Sequence, residues 1–411
     1  MKNYAPLLCS LLCLAAPLQA ASLQWDTTTL GQAREAVNGR QELPINEYLG
    51  LGVAEIGKWQ LGVQTDMRYV RDFQQSLHDY DLYQALLHFR PVESVQVDFG
   101  RQFVNQGFSV QMLDGIQTTF YPHRLLEIGV YSGIPRSVER GDFNQNDGLI
   151  TGLSVGLRDL AHTRVRLHAA WQKNNTRLND LRRNDAFLVG LDLSQQFQGT
   201  QTLYALAEYD TTAKVLNTGT AGIDLYPTRW LALNTEFNYF NVNRDTNRPT
   251  ILGLFTQGHM LTWRFSSTWT FTRYLQLVES YAYQSIEAHK NDRRNGHLLE
   301  VGLPVSWETI GLYFQPSYYL SRSFGGNAQG VRLSAHEDLT ERWFIDAAVD
   351  FASYRKITND NDIAFSSNFW TGYEILKDWT LAAGIEYNNN NLLTRDVRGS
   401  MRIDYHYGHK I

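Results

Sequence analysis

The chain has 411 residues, of which 43 % are apolar, 13 % aromatic and 19 % charged, with a formal net charge of −5. That content excludes a disordered chain, and the near-neutral charge excludes a nucleic-acid binder that works through a basic face. A mean hydropathy of −0.35 excludes a bundle of membrane helices, and the only cysteines, Cys9 and Cys13, lie too early to build a disulfide framework, a thiolate metal site or a haem attachment farther on.

Residues 1–20 read as a secretory signal peptide. Lys2 supplies the positive start, Pro6 to Pro17 is almost wholly apolar, and Leu18-Gln19-Ala20 before Ala21 marks the cleavage site. The run is too short to span a bilayer. Residues 21–411 are expected to form one domain without a separate plug. Leu23, Trp25, Thr27 and Thr29 alternate as a first strand would. The window 30–41, GQAREAVNGRQ, is the one stretch that argues for a helix. Gly52 to Trp59 nearly fits a phosphate loop, but Lys58 is not followed by Ser or Thr, so the magnesium ligand is missing.

From Trp59 onward the pattern has period two. Trp59, Leu61, Val63, Thr65, Met67 and Tyr69 share one parity, and Gln60, Gly62, Gln64, Asp66 and Arg68 the other. Leu149 to Arg158, Arg164 to Trp171 and Trp343 to Phe351 alternate in the same way. Successive side chains of a strand face opposite sides, so each segment has an apolar and a polar wall. Short turns are expected near 56–58, 90–92, 121–123, 159–162, 196–199, 226–228, 269–271, 307–308, 338–341 and 375–378. Longer polar connections fall at 72–78, 103–111, 134–147, 174–184, 241–254, 285–295, 354–363 and 389–395. Short turns at one end and long loops at the other characterise transmembrane β-barrels. The expected fold is therefore all-β: an antiparallel up-and-down transmembrane barrel of about 22 strands, with 20 as the alternative, short periplasmic turns and long extracellular loops. Pro316, inside LYFQPSYYL, suggests a bulge.

Trp59, Trp230, Trp269, Trp307, Trp343 and Trp379 all sit beside the short turns, joined by Phe89, Tyr121 and Tyr226. Amphipathic rings at one end of the strands read as an aromatic girdle in contact with outer-membrane lipid. At the C-terminus Gly399, Met401, Ile403, Tyr405, Tyr407, His409 and Ile411 share one parity. This resembles the terminal strand signal of Gram-negative outer-membrane β-barrel proteins, with Ile411 where an aromatic is usual. The resemblance implies an outer-membrane location and recognition by the outer-membrane insertion machinery. The whole chain is similar in design to the porin-like barrels.

The polar parity carries Arg68, Arg158, Arg164, Arg166, Arg264, Arg332, Arg398 and Arg402 against Asp66, Asp98, Glu127, Glu236, Asp346, Asp350, Glu386 and Asp404. These are the candidate pore-lining residues. The signs balance, so neither a dedicated anion nor a dedicated cation pore is implied. Cross-strand pairs are expected between Arg332 or His336 and Asp346 or Asp350. His168 and His406 fall on the same wall. Arg177, Arg182 and Arg183, and Lys290, Arg293 and Arg294, are expected to make two loops basic. Asp142, Asn144, Asn146 and Asp147 before Gly148 are a calcium-loop candidate lacking the closing glutamate, and Asp360, Asn361 and Asp362 are similar; no metal is expected. Gly152-Leu-Ser154-Val-Gly156 matches GxSxG but lies mid-strand, where no nucleophile elbow forms. The first functional expectation is a channel for small hydrophilic solutes or ions, with no cofactor and no nucleic acid. The alternative is a barrel sheathing a partner such as a periplasmic multihaem cytochrome, because a wide barrel without a plug would leak. An outer-membrane enzyme comes last.

Overall fold

A computed structural model describes residues 22–35, 40–74, 77–105, 110–136, 148–173, 185–197, 200–241, 258–289, 292–323, 326–355, 361–390 and 395–410. The signal-peptide segment and the calcium-loop candidate Asp142, Asn144, Asn146 and Asp147 lie outside the described residues, as do Asp360, Lys290, Arg177, Arg182 and Arg183.

The described chain is a closed antiparallel barrel of 22 strands. In chain order they are β1 (Ser22–Glu35), β2 (Pro44–Ile56), β3 (Leu61–Asp72), β4 (Leu77–Val92), β5 (Val95–Asn105), β6 (Val110–His123), β7 (Leu126–Arg136), β8 (Leu149–Leu160), β9 (Thr163–Lys173), β10 (Ala186–Phe197) and β11 (Gln201–Asp210). The second half comprises β12 (Val215–Thr228), β13 (Leu231–Asn241), β14 (His259–Thr270), β15 (Gln276–His289), β16 (Asp292–Gly302, resuming at Val305–Trp307), β17 (Leu312–Ser323), β18 (Gly326–Thr340), β19 (Trp343–Arg355), β20 (Asn361–Leu376), β21 (Trp379–Asn389) and β22 (Asp396–Lys410). Each strand pairs with the next, and β1 also pairs with β22 from Ser22↔Lys410 to Ala33↔Gly399. Closure satisfies the backbone of both terminal strands, which is what a sheet in hydrocarbon requires.

The ten short turns fall within a few residues of their expected places. Three expectations are corrected. In the window 30–41 the described residues 30–35 are strand and not helix: β1 runs on through Glu35, paired with β2 as far as Gly31, with β22 as far as Ala33, and then with Gln41 and Glu42. Pro316 makes no bulge. The register is the same on both sides of it, Gly302↔Ser317 and Val305↔Phe314. The ladder is only interrupted, because neither Pro304 nor Pro316 has an N–H to give; Leu303 still donates to the Pro316 carbonyl at 2.9 Å. Finally, the expected long loops at 103–111 and 285–295 are mostly strand, since β5 reaches Asn105 and β15 reaches His289, and Arg293 and Arg294 belong to β16.

The two walls separate cleanly on β8. Leu149, Leu153, Val155 and Leu157 are exposed, whereas Ile150 and Ser154 between them are 0 % and 2 % exposed. The exposed apolar parity forms the outer band, and the other faces the interior. Trp59, Trp230, Trp307, Trp343 and Trp379 are exposed beside the short turns. Trp230 stacks on Trp269 with ring centres 5.5 Å apart. Trp25 and Tyr405 extend this group: Tyr405 packs 4.6 Å from Trp379 and 6.0 Å from Trp25.

Indole N–H groups on this outer face find acceptors within the sheet. Trp25 donates to Thr27 at 2.8 Å, Trp263 to Thr235 at 2.9 Å, Trp269 to Ser267 at 3.1 Å and Trp343 to Thr371 at 2.7 Å. Lipid tails offer no acceptor, so an unpaired indole would be penalised. Thr371→Val is expected to lower barrel stability by about 1 kcal/mol, read as an earlier urea midpoint in lipid vesicles; an unchanged midpoint would show that the hydroxyl contributes nothing.

Candidate functional site

The sixteen charged residues singled out above all have the inward parity, shared with Ser154 and opposite to the outer band. Most meet a partner. Arg68 contacts Asp81 at 2.7 Å, and Arg166 and Arg158 flank Glu127 at 3.1 and 3.8 Å. Arg332 meets Asp350 at 3.0 Å and His336 meets Asp346 at 2.7 Å. Arg402 lies 2.8 Å from Asp404, which also accepts from Thr28 across the β22–β1 seam. His88 pairs with Asp98, and His406 with Asp26. Arg398 turns to Asp396 at 2.7 Å rather than to its register partner Glu386, which accepts instead from Asn388 at 2.6 Å. Glu236 and Arg264 are register partners, yet Glu236 accepts from Tyr204 at 2.8 Å and Asn238 at 2.6 Å.

Aromatic side chains on the inward face lie over glycines. Tyr131 faces Gly152, Tyr204 faces Gly222, Tyr319 faces Gly330, Phe344 faces Gly372 and Trp370 faces Gly384, each across one strand pair. A Cβ at any of these glycines would come within 2.6 Å of the ring. The missing side chain lets the ring pack flat on the wall, the cross-strand arrangement known to stabilise glycine in sheets. Ser154 is buried within a regular strand, so no strand-to-helix elbow is formed. Among the described residues no three His, Cys, Asp or Glu side chains are grouped to hold a metal ion.

Sequence reasoning missed the element that most alters the interior. The β4–β5 ladder ends at Ala85↔Arg101 and the β7–β8 ladder at Gly133↔Ile150, yet β5, β6 and β7 continue to pair with one another as far as Asn105↔Val110 and Met112↔Arg136. The end of this three-stranded unit has therefore left the wall. Its point of departure is a row of glycines, Gly100↔Gly115↔Gly133. Gly100 has φ +117, and a Cβ on Gly115 would sit 2.2 Å from the Ser132 carbonyl oxygen. Only glycine fits there.

The hairpin turns inward. Val104 and Leu113 are buried in one apolar cluster with Tyr131, Ile150, Ala170, Ala186 and Leu188, all on the inward parity of β7 to β10. On the opposite face Arg101 and Met112 are covered too, at 4 % and 3 % exposure, whereas Phe103 between them is exposed. Arg101 grips Asp114 in a two-pronged contact at 2.6 and 2.8 Å, and Arg136 adds a third bond to Asp114 at 2.7 Å. Arg101 also donates to the Leu82 carbonyl at 2.9 Å, on the edge of β4 that β5 has abandoned. Charged pairs of this geometry are directional and strong, so the clasp fixes the angle at which the hairpin leaves the wall. The signal available beforehand was the trio of glycines, which single-strand periodicity does not connect.

Neither a protein-family model nor a curated protein matches the chain. Its fold is similar to those of solved structures. Acinetobacter baumannii OccAB4 aligns with a TM-score of 0.51 at 8 % identity, covering 96 % of this chain and 99 % of that one. OccAB2 of the same species gives 0.49 at 10 %, over 95 % and 98 %, and Pseudomonas aeruginosa OccK5 (OpdH) gives 0.48 at 9 %, over 96 % and 100 %. The likeness to OccAB4 is one of fold. Joined to the apolar outer band and the girdle, it gives this chain the architecture of a porin-like outer-membrane β-barrel.

Proposed function

We propose that the protein is a channel for small hydrophilic solutes. The observation that carries this reading is the inward wall: charged and hydrogen-bonding side chains line many of its strands while the outer band is apolar. Paired charges keep that wall near neutrality, which suits solutes of low net charge. The candidate pore-lining residues, from Asp66 and Arg68 to Arg402 and Asp404, are then the groups that a passing solute meets. An empty wide interior is the motive for the sheath alternative, and the hairpin against β7 to β10 removes part of it.

Planar-bilayer recording of the purified protein is the test. Stepwise single-channel currents are expected. A preparation whose folding is verified by the heat-dependent shift of its gel band, and which gives no current steps, would overturn the reading; co-purification of a haem protein from native membranes would then favour the sheath.

A further inference from the structure

At the extracellular end of β17 to β19 the outward face carries positive charge without a partner. Arg322, Asn327 and Arg355 are successive register partners, Arg322↔Asn327 and Asn327↔Arg355. All three are exposed. They share the outward parity of Tyr318, Val331 and Phe351, which are exposed in the apolar band. Neither guanidinium has an ion pair or a hydrogen bond to a described residue. The two arginines stand two inter-strand gaps apart, about 10 Å around the wall. Their height follows from strand length. β19 has 13 residues from Trp343 in the girdle to Arg355, and about 9–11 tilted strand residues cross the hydrocarbon. Arg355 therefore clears the hydrocarbon on the side opposite the short turns, at the level of lipid head groups.

Three successive register rows grade this surface. The outermost is Arg322, Asn327 and Arg355, the next Leu320, Gln329 and Ser353, and the third Tyr318, Val331 and Phe351. Charge gives way to mixed polarity and then to apolar surface. Tyr318 donates to Gln329 Oε1 at 3.3 Å, so the Gln329 amide keeps its N–H groups as donors. We propose that these rows bind one phosphorylated lipid of the outer leaflet. Its phosphate sits between Arg322 and Arg355 with Asn327 donating, its linkage oxygens meet Gln329 and Ser353, and its acyl chains lie on Tyr318, Val331 and Phe351. The physical case has three parts. A guanidinium presents paired N–H donors that match phosphate oxygens. Two like charges this close repel each other, and an anion between them turns that repulsion into attraction. A soluble phosphate would use the outermost row alone, whereas a lipid uses all three in the order of its own parts. The proposal concerns the outside of the barrel and stands apart from the channel reading.

Diphosphoryl lipid A is the probe, titrated into the full-length, detergent-solubilised protein and read by native mass spectrometry. The heat-dependent gel shift verifies that each variant is folded. A one-to-one adduct is expected. Arg322→Gln combined with Arg355→Gln should weaken it by roughly tenfold, about 1.4 kcal/mol, and removing the phosphates from the lipid should weaken it as much. Arg273→Gln, in the turn between β14 and β15 at the other end of the barrel, should leave it unchanged. Inorganic phosphate at the same concentration should not displace the lipid. Absence of the adduct, or binding equal in wild type and the double variant, would overturn the proposal. Equal binding of the dephosphorylated lipid would remove phosphate recognition. Displacement by inorganic phosphate would reduce the rows to a plain anion site, and equal weakening by Arg273→Gln would reduce them to general charge attraction; either result overturns the lipid as occupant.

Discussion

Arginine at Ala207 is expected to cripple the barrel, whereas arginine at the adjacent Leu206 is expected to be tolerated. Ala207 lies on β11 with the outward parity of Leu203 and Tyr209, opposite Leu191 on one side and Gly219 on the other. A guanidinium there faces hydrocarbon, at a cost of about 2–4 kcal/mol near the middle of the bilayer. Leu206 points inward and is the register partner of Asp192 on β10. An arginine at 206 gains a carboxylate neighbour and water, so its expected penalty stays within about 1 kcal/mol. Folding yield and urea midpoints in lipid vesicles measure both. Equal damage from the two substitutions would mean that both faces of β11 are dry, and the assignment of inside and outside would fail.

This contrast is legible in the residues themselves because a one-residue change of parity moves a side chain from one medium to the other. The same rule made the sixteen inward charges, the turn positions and the terminal strands readable: alternation such as Leu203, Ala205, Ala207 against Tyr204, Leu206, Glu208 needs no neighbour to interpret it. What alternation cannot convey is whether a strand stays with its wall. β5 alternates up to Gly100 and then loses the pattern in Arg101-Gln102-Phe103-Val104, and β6 is irregular before Gly115, but a lost pattern does not say where the strand goes. Departure is decided by three glycines brought into one row by pairing, and by where Val104 and Leu113 find apolar partners on β7 to β10. The girdle was readable from composition near the turns. The hydroxyls that serve its indoles were not, because Thr371 becomes the acceptor of Trp343 only through the register of β19 with β20.

Releasing the 101–114 hairpin is expected to raise unit conductance. Burial of Val104 and Leu113 contributes about 1.5–3 kcal/mol for each side chain. Replacing both with aspartate removes that gain, roughly 3–6 kcal/mol, and places two carboxylates against the apolar surface of Ile150 and Leu188. A shift of about 5.5 kcal/mol is enough to invert a two-state population from 1:99 to 99:1, so the double substitution Val104→Asp with Leu113→Asp should leave the hairpin mainly undocked. The clasp alone does not compensate, because Arg101, Asp114 and Arg136 hold the angle of departure and not the contact with β8 to β10. Loss of the clasp through Asp114→Asn should act in the same direction but less strongly, raising the mean conductance by less and widening its distribution. The wall strands keep all their partners up to Ala85↔Arg101 and Gly133↔Ile150 in both variants, so insertion and the heat-dependent gel shift should be unchanged. Single-channel recording decides: conductance equal to wild type in the double variant, with proteolysis showing the hairpin exposed, would mean that the solute path runs elsewhere in the interior and that the inward hairpin does not narrow it.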